Sequence, residues 1–277
     1  MCLPKVVDAL CRSGAVHNED CWGRSESAVW VMDGATGVWP VQRLSAHSDA
    51  AWFVAEMSDA LRSSDAREYD DMLAAAARAV SQKARAACDL DVVTPAELPS
   101  ASFTGARRRG HQVELANLGD CVMLWRPVSG HARRFGSSGV ARLDAALARA
   151  FADGIAAGRA QDELRADQAL MARRHRTLMN TPEGYWILDL SGTGAPHTQT
   201  IRVDGPVEVM LMSDGFYRLV DVFARYDDDR LMDAARGQGV AALYEELRDL
   251  EAADPECRSH PRGKPGDDAT AVLVDFA

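Results

Sequence analysis

No two of the six cysteines in this 277-residue chain form a close CxxC pair; Cys2, Cys11, Cys21, Cys88, Cys121 and Cys257 are scattered. That spacing excludes a zinc ribbon, a thioredoxin-type redox motif and a disulfide framework. It leaves free thiols, each expected as a buried structural residue in a reducing cytoplasm. The opening stretch MCLPKVVDALC lacks a basic segment followed by a long apolar one, so no secretory signal is read. No stretch approaches the ~18 apolar residues of a membrane span. Basic residues are also in short supply, with 31 Lys and Arg against 41 Asp and Glu and a net charge of -10. Nucleic acid is therefore a poor partner, since phosphate backbones require a basic face. There is no internal repeat and no low-complexity tract beyond alanine-rich helices. What remains is 47% hydrophobic and 26% charged residues, the make-up of a globular protein with a sizeable core.

Short strand-like runs alternate with helical ones. Residues 28–32 (AVWVM), 112–118 (QVELANL), 121–126 (CVMLWR), 207–212 (VEVMLM) and 270–276 (TAVLVDF) are apolar or alternating at strand length. Helical stripes are formed by Ala50, Phe53, Val54, Met57 and Leu61, by Leu73, Ala76, Ala77, Val80, Ala84 and Ala87, and by Val240, Leu243, Tyr244, Leu247 and Leu250. The stretch from about 140 to 176 is helical in composition but lacks a strong apolar stripe, which predicts a peripheral excursion. Proline-rich residues 91–101 and 254–266 read as linkers.

Acidic residues recur at the ends of these strands. The run VWVM leads into Asp33-Gly34, 112–118 into Gly119-Asp120, and 207–212 into Ser213-Asp214-Gly215. The last strand begins just after Gly266-Asp267-Asp268, and Asn18-Glu19-Asp20 precedes the first. One Asp-Gly pair is a turn; four such sites and an acidic pair predict a shared edge. Carboxylates gathered in a cleft repel and raise one another's pKa, so a cation must neutralise them. Lys and Arg are scarce near these turns, Arg24, Arg218 and Lys264 being the closest, and no His or Cys pair stands at metal spacing. Oxygen ligands select Mg²⁺ or Mn²⁺, and five or six acids suit two ions better than one. Two such ions roughly 3.5–4 Å apart are suited to in-line phosphate hydrolysis.

NED (18–20), VWVMDGATG (29–37), LANLGDC (115–121), LMSDGFY (211–217) and GDDATAVLV (266–274) follow one another in the order found in the metal-dependent protein phosphatases of type 2C, the PPM family, which the chain resembles over nearly its whole length. The resemblance is to bacterial-type members. It implies an α+β fold, a four-layer α-β-β-α sandwich of two antiparallel sheets flanked by helices, as a single domain over residues 1–277. It also implies a flap-like excursion at about 136–185. It places Asp33 between two Mn²⁺ or Mg²⁺ ions with the Gly34 carbonyl on one of them. Asp214 and Asp267 would serve the first ion, and Glu19 and Asp20 the second, partly through water. Asp120 would help hold a third, weaker ion, or else simply cap its turn. A water bridging the ions would be the nucleophile, with Asp33, Asp214 and Asp267 the catalytic carboxylates. Asp268 is expected only to pack its turn.

The sequence departs from the family pattern at three places. The phosphate-gripping arginine expected four residues before Glu19 is Ala15, leaving Arg12 as the nearest substitute. The histidine of eukaryotic members after the Asp-Gly turn is Ala35, with His17 close by in sequence. The flap carries a basic run, Arg173, Arg174, His175 and Arg176, which either steers a phosphorylated partner or forms a solvated face. The resemblance thus implies a cytoplasmic phosphatase acting on phosphoserine or phosphothreonine in proteins. The alternatives are a small-metabolite phosphomonoesterase and a pseudophosphatase that binds without turnover.

Overall fold

β3 (Ala28–Ala35) is apolar at every position from 28 to 32 because both of its faces are covered. Val29 and Val31 point into a core shared with a second sheet, while Trp30 and Met32 point into a core shared with helices. Successive strand residues face opposite ways, so a continuous apolar run is what a strand between two layers requires. The computed structural model describes residues 4–36, 41–64, 66–136 and 139–277. The last residue of the VWVMDGATG motif, Gly37, and residues 137 and 138 of the flap range lie outside the described residues.

One sheet has the order β1 (Lys5–Arg12), β11 (Ala269–Phe276), β10 (Val207–Met212), β6 (Val122–Pro127) and β7 (Arg133–Phe135). The other runs β2 (Asp20–Arg24), β3, β4 (Ser100–Arg109), β5 (Gln112–Leu118) and β9 (Gln199–Asp204), with β8 (Leu188–Asp189) added to the end of β4. The pairings between these strands are all antiparallel. Val29, Val31, Leu115, Val209, Leu211, Val272, Val274 and Phe276 fill the space between the sheets. α1 (Asp49–Arg62) and α2 (Tyr69–Ala87) cover the outer face of the β3 sheet through Phe53, Met57, Leu61 and Leu73. α5 (Asp214–Asp221), α6 (Asp228–Gln238) and α7 (Val240–Ala253) cover the other sheet through Phe216, Leu219, Leu231, Leu243 and Leu247. This is the expected four-layer α+β sandwich.

Several local expectations change. The helical stretch near 140–176 is two helices, α3 (Gly139–Ala156) and α4 (Gln161–Arg176), parted at Gly158, whose φ of +73° favours glycine. Residues 91–101 are not a free linker. Thr94 and Glu97 close a capping box on a short 3₁₀ turn, and Ser100 and Ala101 already belong to β4. Residues 254–266 are likewise pinned. The Asp254 carboxylate accepts from the amides of Arg258 (2.8 Å), Ser259 (3.2 Å) and His260 (3.0 Å) and from Arg262 Nη1 (2.8 Å). Among the described cysteines all are free thiols; Cys121 and Cys257 are buried, whereas Cys11, Cys21 and Cys88 are only partly so. None of the described helices is long and apolar enough to cross a membrane.

Candidate metal centre

Strand register assembles the acidic site. Asp20 lies directly opposite Asp33 across β2 and β3, and Asp33 lies opposite Ser102 across β3 and β4. The Ser102 hydroxyl donates to Asp120, which follows the end of β5, and the Asp120 amide donates back to it at 3.0 Å. On the other sheet, the Ser213 amide donates to the Thr270 carbonyl and the Thr270 amide to Ser213 Oγ, both at 3.0 Å. That double bond between strand ends holds Asp214, the first residue of α5, beside Asp267. One sheet thus contributes Asp20, Asp33 and Asp120, the other Asp214 and Asp267, and the site straddles the seam between them.

Two glycines permit this closeness. A Cβ on Gly34 would stand 2.5 Å from the Glu19 carbonyl, and one on Gly215 would stand 2.0 Å from the Asp268 carbonyl. Either contact would push the two turns apart. Asp268 packs its turn as expected, accepting from the amides of Gly14 (2.8 Å) and Glu19 (2.6 Å) and from Ser13 Oγ (3.1 Å).

The electrostatics are those of a site short of positive charge. Enclosure by protein raises Asp33 well above the ordinary carboxylate range, and the charges of Asp20, Asp214, Asp120 and Asp267 raise it further. Burial pushes Asp20 up to about 8, although the facing hydroxyls of Ser213 and Thr270 soften the shift. Its Oδ2 is buried with no hydrogen-bond partner. Asp120 is pushed up to about 6, by enclosure first and then by Asp214, against the bond from Ser102. Asp267 behaves oppositely. Burial would raise it, but Lys264 Nζ at 2.8 Å and Arg218 Nη2 at 2.6 Å hold it below its ordinary value. Arg218 is itself fixed by Glu251 at 3.0 Å.

The donor set is all oxygen, and one Asp20 oxygen is buried without a partner, so these residues fit a hard divalent cation. Among the described residues no three His, Cys, Asp or Glu side chains form a ready-made metal cage.

Glu19 stands to one side. Its Oε1 accepts from Thr36 Oγ1 (2.5 Å) and Ser48 Oγ (2.6 Å), and Ser48 is the N-cap of α1. Gly34 donates its amide to the Glu19 carbonyl at 3.0 Å, so the two motifs meet through backbone. Arg24 lies at the far end of β2 from Asp20, away from the acids. Arg12 ends β1 opposite Ala269 and is exposed, with no side-chain hydrogen bond or ion pair among the described residues. Ala15 and His17 are both exposed on the loop that follows. The basic run divides. Arg173 and Arg174 are exposed, but Arg176 is buried and donates to Ser100 Oγ (2.7 Å) and to the carbonyls of Leu98 (2.6 Å), Ala35 (3.2 Å) and Ala96 (3.3 Å). Arg176 therefore ties α4 to the sheet and is unavailable to a partner. The His175 Nδ1 is buried without a partner, and burial lowers its pKa.

Sequence reasoning missed the hydroxyls of Ser102 and Ser213 and the pairing of Arg218 with Asp267. A signal for Arg218 existed: it stands four residues after Asp214 on a helix, one turn along the same face. Also missed was a cavity of about 650 Å³ bordering Asp120 and Asp214, walled by α3, α5 and the 259–263 segment.

The fold is one shared with solved bacterial serine/threonine phosphatases. No protein-family model matches the sequence, and no curated protein does. Solved structures match over almost the whole chain. The Mycobacterium tuberculosis serine/threonine phosphatase PstP/Ppp has a TM-score of 0.55 and 17% identity over 99% of both chains. PppA, described as a key regulatory component of T6SS in Pseudomonas aeruginosa, has a TM-score of 0.56 and 15% identity over 99% of this chain and 98% of its own. The catalytic domain of PstP in complex with two manganese ions has a TM-score of 0.52 and 14% identity over 99% of this chain and 98% of its own. At these identities the shared property is the fold.

Proposed function

We propose that this chain is a PPM-family phosphatase that hydrolyses phosphoserine or phosphothreonine in proteins with Mn²⁺ or Mg²⁺ bound. The observation that carries this reading is the convergence of Asp20, Asp33, Asp120, Asp214 and Asp267 on the seam between the two sheets, with Asp20 and Asp33 held against their own charge. Asp33 would be the central carboxylate, Asp214 and Asp267 would hold one ion, and Asp20 would hold the second, with Glu19 supporting it from the Ser48 side. Asp120 is the candidate for a third, weaker site. When bound, such ions supply Lewis-acid polarisation of a phosphate and acidify a water. The chain's own part is to fix the acids by strand register and to present an exposed cation, Arg12, at the same edge. The helices α3 and α4 form the flap-like excursion of an otherwise single domain.

A second reading, a binding module without turnover, is favoured by one observation: both oxygens of Asp267 are already held by Lys264 and Arg218. The two separate in one experiment. Turnover of a phosphothreonine peptide and of a small aryl phosphate is measured with millimolar Mn²⁺ and again in excess chelator. Mn²⁺-dependent release of phosphate from both supports the enzyme. Release from the aryl phosphate alone points to a small-metabolite phosphomonoesterase, and release from neither to the binding module.

A further inference from the structure

The cavity beside Asp120 and Asp214 has a charge pattern of its own. Three arginines stand on its wall, and each is already committed. Arg134 lies 3.3 Å from Asp228 and over the Tyr217 ring, Arg262 lies 2.8 Å from Asp254, and Arg218 is held between Glu251 and Asp267. On the same wall the carboxylate of Asp221 accepts from the Val222 amide and feels Arg218 and Arg134 at a distance, but among the described residues no salt bridge joins it to a cation.

Helix geometry places that carboxylate. Asp214, Tyr217, Arg218 and Asp221 follow the i, i+3, i+4, i+7 spacing of one helix stripe, and all four line the cavity. At 1.5 Å per residue, Asp221 stands about 10 Å along the axis from Asp214. It is also the last residue of α5. A helix C-terminus carries partial negative charge, so an anion there is disfavoured unless a cation joins it. The remaining wall is largely small and apolar, including Ala145 and Ala148 of α3 and Val222. Such a wall suits the methylene stem of a long side chain, and Asp221 suits its charged tip.

We propose that this cavity receives a lysine or arginine side chain of the substrate, with Asp221 as its specificity determinant. The inference rests on the phosphoprotein reading above. An extended peptide advances about 3.3 Å per residue, so 10 Å places the basic residue two or three positions from the phosphorylated one.

The test uses fluorescein-labelled phosphothreonine peptides carrying Lys, Ala or Glu at each position from three before to three after the phosphoresidue. Affinity is read by anisotropy with Ca²⁺ bound, and kcat/KM with Mn²⁺, on the full chain. The Lys peptide is expected to bind about tenfold more tightly than the Glu peptide at one such position, an attraction replacing a repulsion in a half-enclosed site. Asp221→Asn should bring that ratio close to one, and Asp221→Lys should reverse it. Because the ratio is taken within each variant, a general loss of activity or folded fraction cancels. Equal affinities for Lys and Glu peptides at every position overturn the proposal, as does a preference that survives in both Asp221 variants. A Lys preference in binding without any turnover supports the cavity assignment while refuting the phosphatase reading.

Discussion

Asp20→Asn should stabilise the metal-free protein at neutral and alkaline pH. In the folded chain Asp20 keeps its proton up to about pH 8, whereas in the unfolded chain an aspartate releases it near ~3.9. Folding therefore takes up a proton across this interval, and stability falls as pH rises from about 4 to about 8. At 1.36 kcal/mol per unit, the loss at pH 7 is on the order of 4 kcal/mol, a large part of the ~5–15 kcal/mol that holds a domain folded. Asparagine has the same shape without the ionisation, and Ser213 and Thr270 offer its amide hydroxyl partners. Asp33 and Asp120 are shifted in the same direction, so the parent's slope contains all three and the substitution removes one share. Urea denaturation of chelator-treated protein between pH 5 and 8 measures this directly. The parent's midpoint should fall steeply with pH and that of Asp20→Asn less so, with Mn²⁺ restoring the parent more than the variant. A metal-free parent equally stable at both ends of the range would refute the reasoning, as would a variant less stable than the parent at pH 8.

Asp254 should show the opposite sign. Burial would raise it, but the amides of His260 and Ser259, Arg262 and the Arg258 amide hold it at about 2. Its contribution, about 1–2 kcal/mol after screening, is present above pH 4 and lost as pH falls towards 2, so Asp254→Asn should cost stability at pH 6 and little at pH 2.5 in the same urea assay. Lys264→Ala should tighten Mn²⁺ binding measured by calorimetry, by no more than about fivefold, since its side chain is 67% exposed and such ion pairs contribute about 1 kcal/mol or less; weaker binding would mean that Lys264 organises Asp267 instead of competing for it. Arg12→Ala should raise KM for a small aryl phosphate and Ala15→Arg should lower it, with Mn²⁺ affinity unchanged in both; an unaltered KM in both variants would remove phosphate from this edge.

The parts legible in the sequence are those that layering writes into local pattern. β3, β10 and β11 are covered on both faces, so their apolar runs are continuous, and the acids at their ends stand out by contrast. β4 lies equally deep but reads SASFTGARRR. Its Ser100, Ser102 and Thr104 are buried, and Arg107 is buried because Glu114 pairs with it at 2.7 Å across the β4–β5 register. No window of β4 alone contains that partner. The same holds for Arg176, one of four basic residues in a row, whose carbonyl acceptors come from segments about 80 and 140 residues earlier. The peripheral helices, the pinning of 254–266 and the cavity depend on contacts of this long-range kind, and local pattern could not announce them.

The seam location of the acids has a further consequence. Each sheet carries only part of the set, so neither half of the sandwich has a binding centre of its own. An ion held between Asp33 of one sheet and Asp214 or Asp267 of the other would rivet the two halves together, and chelation would loosen that rivet. Scarcity of divalent cation in the surroundings would then act on the lifetime of the folded chain as well as on its chemistry: starved protein would open more often along the seam, expose the Val29–Val274 interior, and be removed by proteases sooner than loaded protein.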